Sequence, residues 1–327
     1  MTDHANTQRR LFLHLPLAVA LSGASGAWAQ PGRMTRLIVP VPAGGGMDAS
    51  ARLLAEYTRE ALGTVVVENR PGGALRLAID FVKRAEPDGT TLLFSPTSPF
   101  TIYPHIYKKL AYDLSDFVPV STFCSFDFAL GVPGNSPINS VADYIAAVKR
   151  DPQKSGFYAV PAAGASPHFA GAQFARAAGI ETRHVPYKGS APAMQDLIGG
   201  HVPAAFNLTG EFLQYVPDKK VKVLATTGAR RSPFAPDVPT FTELGFKDMV
   251  LGEWFGMFAP AMTPASVVEK INAAVRDTLR KAEVTARLTT LGYTPLHLSA
   301  AEMKQRLVAD LNAWGPVVKS TGFTVEE

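Results

Sequence analysis

The chain has 327 residues, 46% of them hydrophobic and 18% charged, the composition of an ordinary globular protein of about two domains. Its net charge of +4 comes from 32 basic and 28 acidic residues without any Lys/Arg-rich run longer than a pair, which argues against a nucleic-acid partner. Cys124 is the only cysteine, so an internal disulfide and any multi-cysteine metal site are excluded, and no clustered His/Asp/Glu pattern suggests a metal of another kind.

The chain opens with a charged pair, Arg9 and Arg10, then a short apolar stretch over 11–21 and an A-x-A cleavage pattern at Ala27-Trp28-Ala29. This reads as a signal peptide over 1–29, with the mature protein starting at Gln30. "QRRLFLH" (8–14) also resembles a twin-arginine export signal, so two export routes stay open. No later stretch of about 18 apolar residues follows. The expectation is an exported, extracytoplasmic protein, periplasmic in a Gram-negative cell.

Residues 36–41 (RLIVPV) read as a buried strand, followed by the glycine loop "PAGGGMD" (42–48) and a helix over 48–62 whose Leu53, Leu54, Tyr57 and Ala61 recur at helical spacing. A strand at 65–68 completes a βαβ unit, which favours a parallel sheet. A helix over 74–84 and a strand at 91–94 come next. An apolar, β-rich run over 117–132 precedes a helix at 140–150, started by Ser140 and Asp143 as a capping box. Strands at 157–160, 184–187, 204–208 and 221–226 then alternate with helices at 167–178 and 191–198. After a strand at 254–259, two helices close the chain. The first has Thr263 as N-cap and Pro264 at N1; the second is boxed by Ser299 and Glu302 and ended by Gly322. The class is α/β with more than one sheet. Ligands in such folds bind beyond the carboxyl ends of strands, which points to the loops 42–48, 95–99 and 161–168.

The glycine loop admits three readings. Gly44, Gly46 and Ala49 match a G-x-G-x-x-A dinucleotide fingerprint, and Glu68 ends the next strand where a ribose-binding acid belongs. Against it stand Asp48, whose carboxylate would repel a pyrophosphate, Pro40 and Pro42 in the entering strand, and export to a compartment poor in nicotinamide cofactors. In the second reading the bare loop amides and the helix N-terminus hold a ligand carboxylate, with Asp48 capping the helix. The third is a plain tight turn needing glycine for positive φ. Neither Ser166 nor His168 falls in a recognisable nucleophile–base pattern.

The motifs taken together resemble the solute-binding proteins of tripartite tricarboxylate transporters, the Bug family. The matching stretches are "PAGGGMD" (42–48), "VVVENRPG" (65–72), "PDGTTLL" (87–93), "YKKLAYD" (107–113), "GASPHFAG" (164–171), "HVPYKGSAPAMQDLIGG" (184–200), "RRSPFAPDVPTFTELG" (230–245), "WFGMFAP" (254–260) and "LNAWGPVVKSTG" (311–322), in order and without large gaps. The resemblance implies a two-lobed, type II-like periplasmic binding protein fold that closes on its ligand like a flytrap. Its chain crosses between lobes near 125–135 and 245–255. Lobe one would comprise 30–130 and 250–327, and lobe two 131–249. It implies a monomeric carrier that captures a mono-, di- or aromatic carboxylate and delivers it to membrane transporter subunits, with no catalytic residue and no cofactor.

The site it implies draws from lobe one on Ala43, Gly44, Gly45, Gly46 and Asp48 and on the loop bearing Ser95, Thr97 and Ser98. From lobe two come Gly164, Ala165, Ser166 and His168, with Tyr187, Lys188 and Asn207. Two departures from the family stand out. Arg76 follows the Asn-Arg-Pro-Gly turn where glycines are usual, and Asn207 replaces an acid. Together they suggest a more anionic or longer ligand, with Arg76 pairing its distal carboxylate. The competing class is an exported α/β enzyme, a hydrolase using Ser166 and His168 or a dehydrogenase using the Gly44 loop.

Overall fold

The computed structural model describes residues 34–325; the signal peptide expected over 1–29 lies outside the described residues. The first part of the chain runs β1 (Thr35–Val39), α1 (Gly46–Tyr57), α2 (Arg59–Leu62), β2 (Val65–Asn69), α3 (Arg76–Lys83), β3 (Thr91–Pro96), α4 (Ser98–Thr101) and α5 (Tyr103–Ile106). A long strand, β4 (Phe117–Pro133), leads into α6 (Val141–Arg150), α7 (Pro152–Ser155), β5 (Phe157–Val160), α8 (Ser166–Ala178), β6 (Arg183–Pro186), α9 (Ser190–Ile198), β7 (Ala205–Leu208), α10 (Thr209–Leu213) and β8 (Val221–Thr226). The chain ends with β9 (Gly252–Pro260), α11 (Ala265–Leu279), α12 (Ala282–Thr290), β10 (Thr294–Pro295) and α13 (Ala300–Thr321).

The strands form one ten-stranded sheet in the order β2-β1-β3-β9-β4-β7-β5-β6, with β8 and β10 also on β4. This corrects the expectation of more than one sheet. The joint is β4. Its residues 117–127 pair antiparallel with β9, and its residues 128–133 pair with β7 and β8. The two flanks are parallel: β1 pairs β2 and β3, and β5 pairs β6 and β7. Parallel strands covered by helices read as continuous apolar runs. Accordingly Leu37, Ile38 and Val39 of β1 and Leu92, Leu93 and Phe94 of β3 are all buried. One core cluster continues through β4 from Phe94, Phe123 and Phe255 on one side to Phe174, Phe206 and Phe241 on the other.

Thr227 pins the point where β4 changes partners. Its hydroxyl accepts the Phe128 N–H at 2.9 Å and donates to the Leu251 carbonyl at 2.6 Å. It thereby ties the outgoing segment of β4 to the chain returning toward β9.

Most of the helix signals act as written. Ser299 and Glu302 form the capping box of α13, and Gly322, at φ 65°, ends it. Ser140 caps α6 by accepting the Asp143 N–H, but Asp143 reaches back to the Asn139 N–H instead of closing the box on Ser140. The helix over 48–62 is split at Thr58 into α1 and α2. Pro264, not Thr263, is the N-cap of α11, so the helix starts one residue later than expected, because the ψ of Pro264, 139°, is extended. Three helices follow β9 where two were expected. The additional α12 buries only Val284 and Leu288, too few apolar positions to show a period.

Helix α10 sits hard against the turn before β10. A Cβ built on Gly210 would lie 2.0 Å from the Leu291 carbonyl oxygen, a backbone atom that cannot swing aside. Gly210→Ala is therefore expected to destabilise the fold by about 1–3 kcal/mol through overpacking, read as a lowered melting temperature. An unchanged melting temperature would show that this contact gives way freely.

Candidate functional site

Five loops leave the carboxyl ends of β1, β3, β5, β6 and β7 and meet around one cavity. Gly45 and Gly46 come from the first loop, Ser98 from the second, Ala162 and Ala165 from the third, and Lys188, Gly189 and Ser190 from the fourth; Glu211, on α10, comes from the fifth. Phe126 of β4 and Glu253 and Phe255 of β9 complete the floor. The cavity has about 60 Å³ of room for the centres of water-sized spheres, enough for several ordered waters or a small solute. A second chamber of about 120 Å³ adjoins it, sharing Val41, Leu75 and Lys188 and reaching Gly72 and Tyr187.

The dominant feature of this cavity was not anticipated from sequence. Two carboxyl side chains, Glu211 and Glu253, line it, at 4% and 5% exposure. Each sits on a loop amide that a ligand carboxylate would otherwise use. The Gly46 N–H donates to Glu211 Oε1 at 2.9 Å, and the Tyr293 hydroxyl donates to the same oxygen at 3.3 Å. The Ser98 N–H donates to Glu253 Oε1 at 2.7 Å, joined by the Thr97 hydroxyl at 3.1 Å. Among the described residues neither glutamate enters an ion pair with a basic side chain. Burial pushes both carboxyls above the usual carboxylate range, and these hydrogen bonds only partly offset it. The signal available in sequence was a lone acid within an apolar run, in "AAFNLTGEFL" (204–213) and "MVLGEWFGMF" (249–258).

The glycine loop divides its amides between protein carboxylates. The Gly44 N–H goes to Asp48 Oδ2 at 3.2 Å, so it is not open to a ligand as expected. Asp48, only 4% exposed, also holds Arg52 at 2.9 and 3.1 Å and accepts from Asn69 Nδ2 at 2.9 Å. Burial raises its pKa, but these bonds outweigh burial and hold the carboxyl below its usual range. Asp48 thus braces the loop behind the cavity and does not line it, while Ala43 and Gly44 are exposed. Gly46 is required for close approach: a Cβ there would lie 1.9 Å from the Tyr293 hydroxyl and 2.8 Å from Glu211 Oε1.

Of the residues expected at the site, Gly45, Gly46, Ser98, Ala165 and Lys188 line the cavity. Thr97 acts through Glu253, and Tyr187 borders the second chamber with its hydroxyl on Asp196 at 2.6 Å. Ser95 is buried, its hydroxyl donating to the Pro96 carbonyl. Asn207 is wholly buried; its Oδ1 accepts from the Ser190 hydroxyl and the Leu208 N–H, and its Nδ2 has no hydrogen-bond partner among the described residues. Ser166 is wholly buried beside Glu253, its Oγ without a well-formed hydrogen bond.

His168 accepts the Gly164 N–H on Nδ1 at 3.2 Å and stacks on His184 at 3.7 Å. Burial, with the neighbouring His184, pushes its pKa down to about 3, which keeps the ring a neutral acceptor bracing the 161–165 loop. Arg76 lies away from the cavity lining, its guanidinium 4.3 Å over the Tyr107 ring and its Nε on the Gly73 carbonyl. The expectation of a cleft depleted in acid is corrected by Glu211 and Glu253.

A single sheet bent about a shared strand, with loops from both flanks closing on one cavity, is the two-lobed architecture of periplasmic binding proteins. Residues 50–323 match the family described as Tripartite tricarboxylate transporter family receptor, and the chain belongs to it. It is 30% identical over 319 residues to Protein BugT of Bordetella pertussis, covering 96% of this chain and 98% of that one. Among solved structures, it is similar to an R. palustris protein with adipate (TM-score 0.86, 30% identity, 90% of this chain and 99% of that one). It is also similar to MatC from Rhodopseudomonas palustris with bound malate (TM-score 0.83, 28% identity, 88% and 99%).

The buried glutamates set a pH dependence. A carboxyl with a raised folded-state pKa keeps its proton where the unfolded chain has lost it, so stability falls as pH rises above about 4.5. In the ligand-free protein, Glu211→Gln and Glu253→Gln are each expected to raise the melting temperature at pH 7.5, with the gain shrinking toward pH 4. A gain that does not vary with pH would contradict the raised pKa values.

Proposed function

We propose that this protein is a periplasmic solute-binding protein that captures a small organic carboxylate and delivers it, as a monomer, to membrane subunits of a tripartite tricarboxylate-type transporter. The observation that carries this reading is the cavity between loops of both sheet flanks, in a chain whose structural neighbours were solved with malate and adipate. Among the described residues no helix is long and apolar enough to cross a membrane. Export by the segment over 1–29, through the general or the twin-arginine route, belongs to the same proposal.

The lobes proposed are 30–130 with 250–327, and 131–249. Two features support that division. β4 changes partners between Asp127 and Phe128, and the return path passes Thr227 at Leu251. Ligand bridging the lobes would favour the closed state by binding it better than the open one.

The cavity's chemistry suits binding without turnover. His168 Nδ1 is committed to the Gly164 amide, so it does not serve as base to Ser166. The dinucleotide reading loses its partners: Gly44 is engaged by Asp48, and Glu68 by Arg36 at 2.7 Å and Arg70 at 2.6 Å.

Native mass spectrometry of the freshly purified protein is expected to show a bound carboxylate, recovered chemically unchanged. The carboxylate that binds, supplied at a hundredfold excess over its Kd, should stabilise the fold by about 2.7 kcal/mol. Gly46→Ala should weaken capture at least about tenfold by driving a methyl into Tyr293 and Glu211. Turnover of the bound molecule, or stabilisation by NAD alone, would overturn the reading.

A further inference from the structure

Two wholly internal carboxyl groups are an unexpected lining for a cavity meant to hold an anion. An ionised carboxylate removed from water is costly unless it is paired, and no basic side chain pairs either glutamate among the described residues. The well-formed hydrogen bonds to both converge on Oε1, from a backbone amide and a hydroxyl in each case, with the Ser190 hydroxyl also near Glu211 and the Ser98 hydroxyl near Glu253. Beside Glu253, the Ser166 hydroxyl is fully buried and has no well-formed bond of its own. Among the described residues Oε2 of each glutamate receives no well-formed bond, which leaves acceptor capacity facing the cavity.

A second observation is independent of the acids. Phe126 and Phe255 line the same cavity, their ring centroids 4.5 Å apart, and Tyr293 closes the cluster at 5.5 and 5.6 Å from them. Aromatic rings attract a cation through their quadrupole, and more strongly when water is excluded. Carboxyls and rings around one buried space make an environment for a positively charged group. Donors line the same cavity: Lys188, and the start of α9 at Ser190, next to the unpartnered Nδ2 of Asn207.

We propose that Glu211 and Glu253, with the rings of Phe126 and Phe255, form a subsite for a protonated nitrogen, so that the solute is an amino carboxylate and not a plain one. The solute's ammonium replaces the basic partner that the chain itself does not supply, while its carboxylate takes the donors around Lys188 and Ser190. This rests on the carboxylate-carrier reading and names the substrate class of that same site.

The test is calorimetric titration of the full mature protein with matched pairs: γ-aminobutyrate against butyrate, and aspartate against succinate. The member with the amine is expected to bind at least about tenfold tighter in each pair, or about 1.4 kcal/mol. Glu211→Gln and Glu253→Gln, which keep size and an acceptor oxygen, should collapse that ratio toward one. If a variant fails to fold, the wild-type ratios decide alone. Equal affinities within the pairs, or tighter binding of the member without the amine, would overturn the inference and leave the carrier reading standing. A nitrogen-free carboxylate found on the purified protein would do the same. Purification with no carboxylate at all, together with no binding by any of the four, would overturn both.

Discussion

The sharing of one long strand, β4, between both flanks is the constraint on which the rest of the structure depends. Seventeen residues form one strand, first beside β9 and then between β7 and β8, with register shifts at Pro119/Ser121 and Thr122/Cys124 against β9 and at Leu130/Gly131 against β8. Ladder hydrogen bonds hold neighbouring strands about 4.8 Å apart. One shared strand therefore fixes where the parallel strands of each flank end. Their five carboxyl-end loops meet at one cavity. β4 exchanges partners where Thr227 bridges Phe128 and Leu251.

Within that frame the electrostatics of the cavity are set from inside the protein. Loop amides at strand ends and helix starts attract anions. Here three of them are already engaged: Gly44 by Asp48, Gly46 by Glu211 and Ser98 by Glu253. The three acids differ in surroundings, and so in charge. Asp48 is held by Arg52 and Asn69 and stays ionised behind the loop. The two glutamates have amides and hydroxyls but no cation, and burial favours their protonated forms. An anion-binding scaffold has thus become a mixed cavity, with acceptors beside aromatic rings and donors around Lys188.

Features that depend on near neighbours along the chain were legible in the sequence. The βαβ start, the capping box of Ser299 and Glu302, the stop at Gly322 and the long apolar run of β4 are all written within a few residues. Signals that need a count of apolar contacts were weaker, and α12, with Val284 and Leu288 alone buried, carried too few. The site was legible as loops and not as side chains. The loops at 42–48, 95–99 and 161–168 all reach the cavity, yet Asp48 and His168 turn out to brace loops, and Arg76 lies on Tyr107.

Sequence by itself determined the family, the alternation of strands and helices, and which loops would reach the cavity, because motifs and periodicity are local and survive without coordinates. Only the tertiary structure decided that the sheet is single and that Glu211 and Glu253 share one buried space. Glu211 meets Gly46 across 165 positions and Glu253 meets Ser98 across 155. Nothing local records such a meeting: the charge state and role of a buried acid depend on which groups surround it in space, and packing alone assembles them.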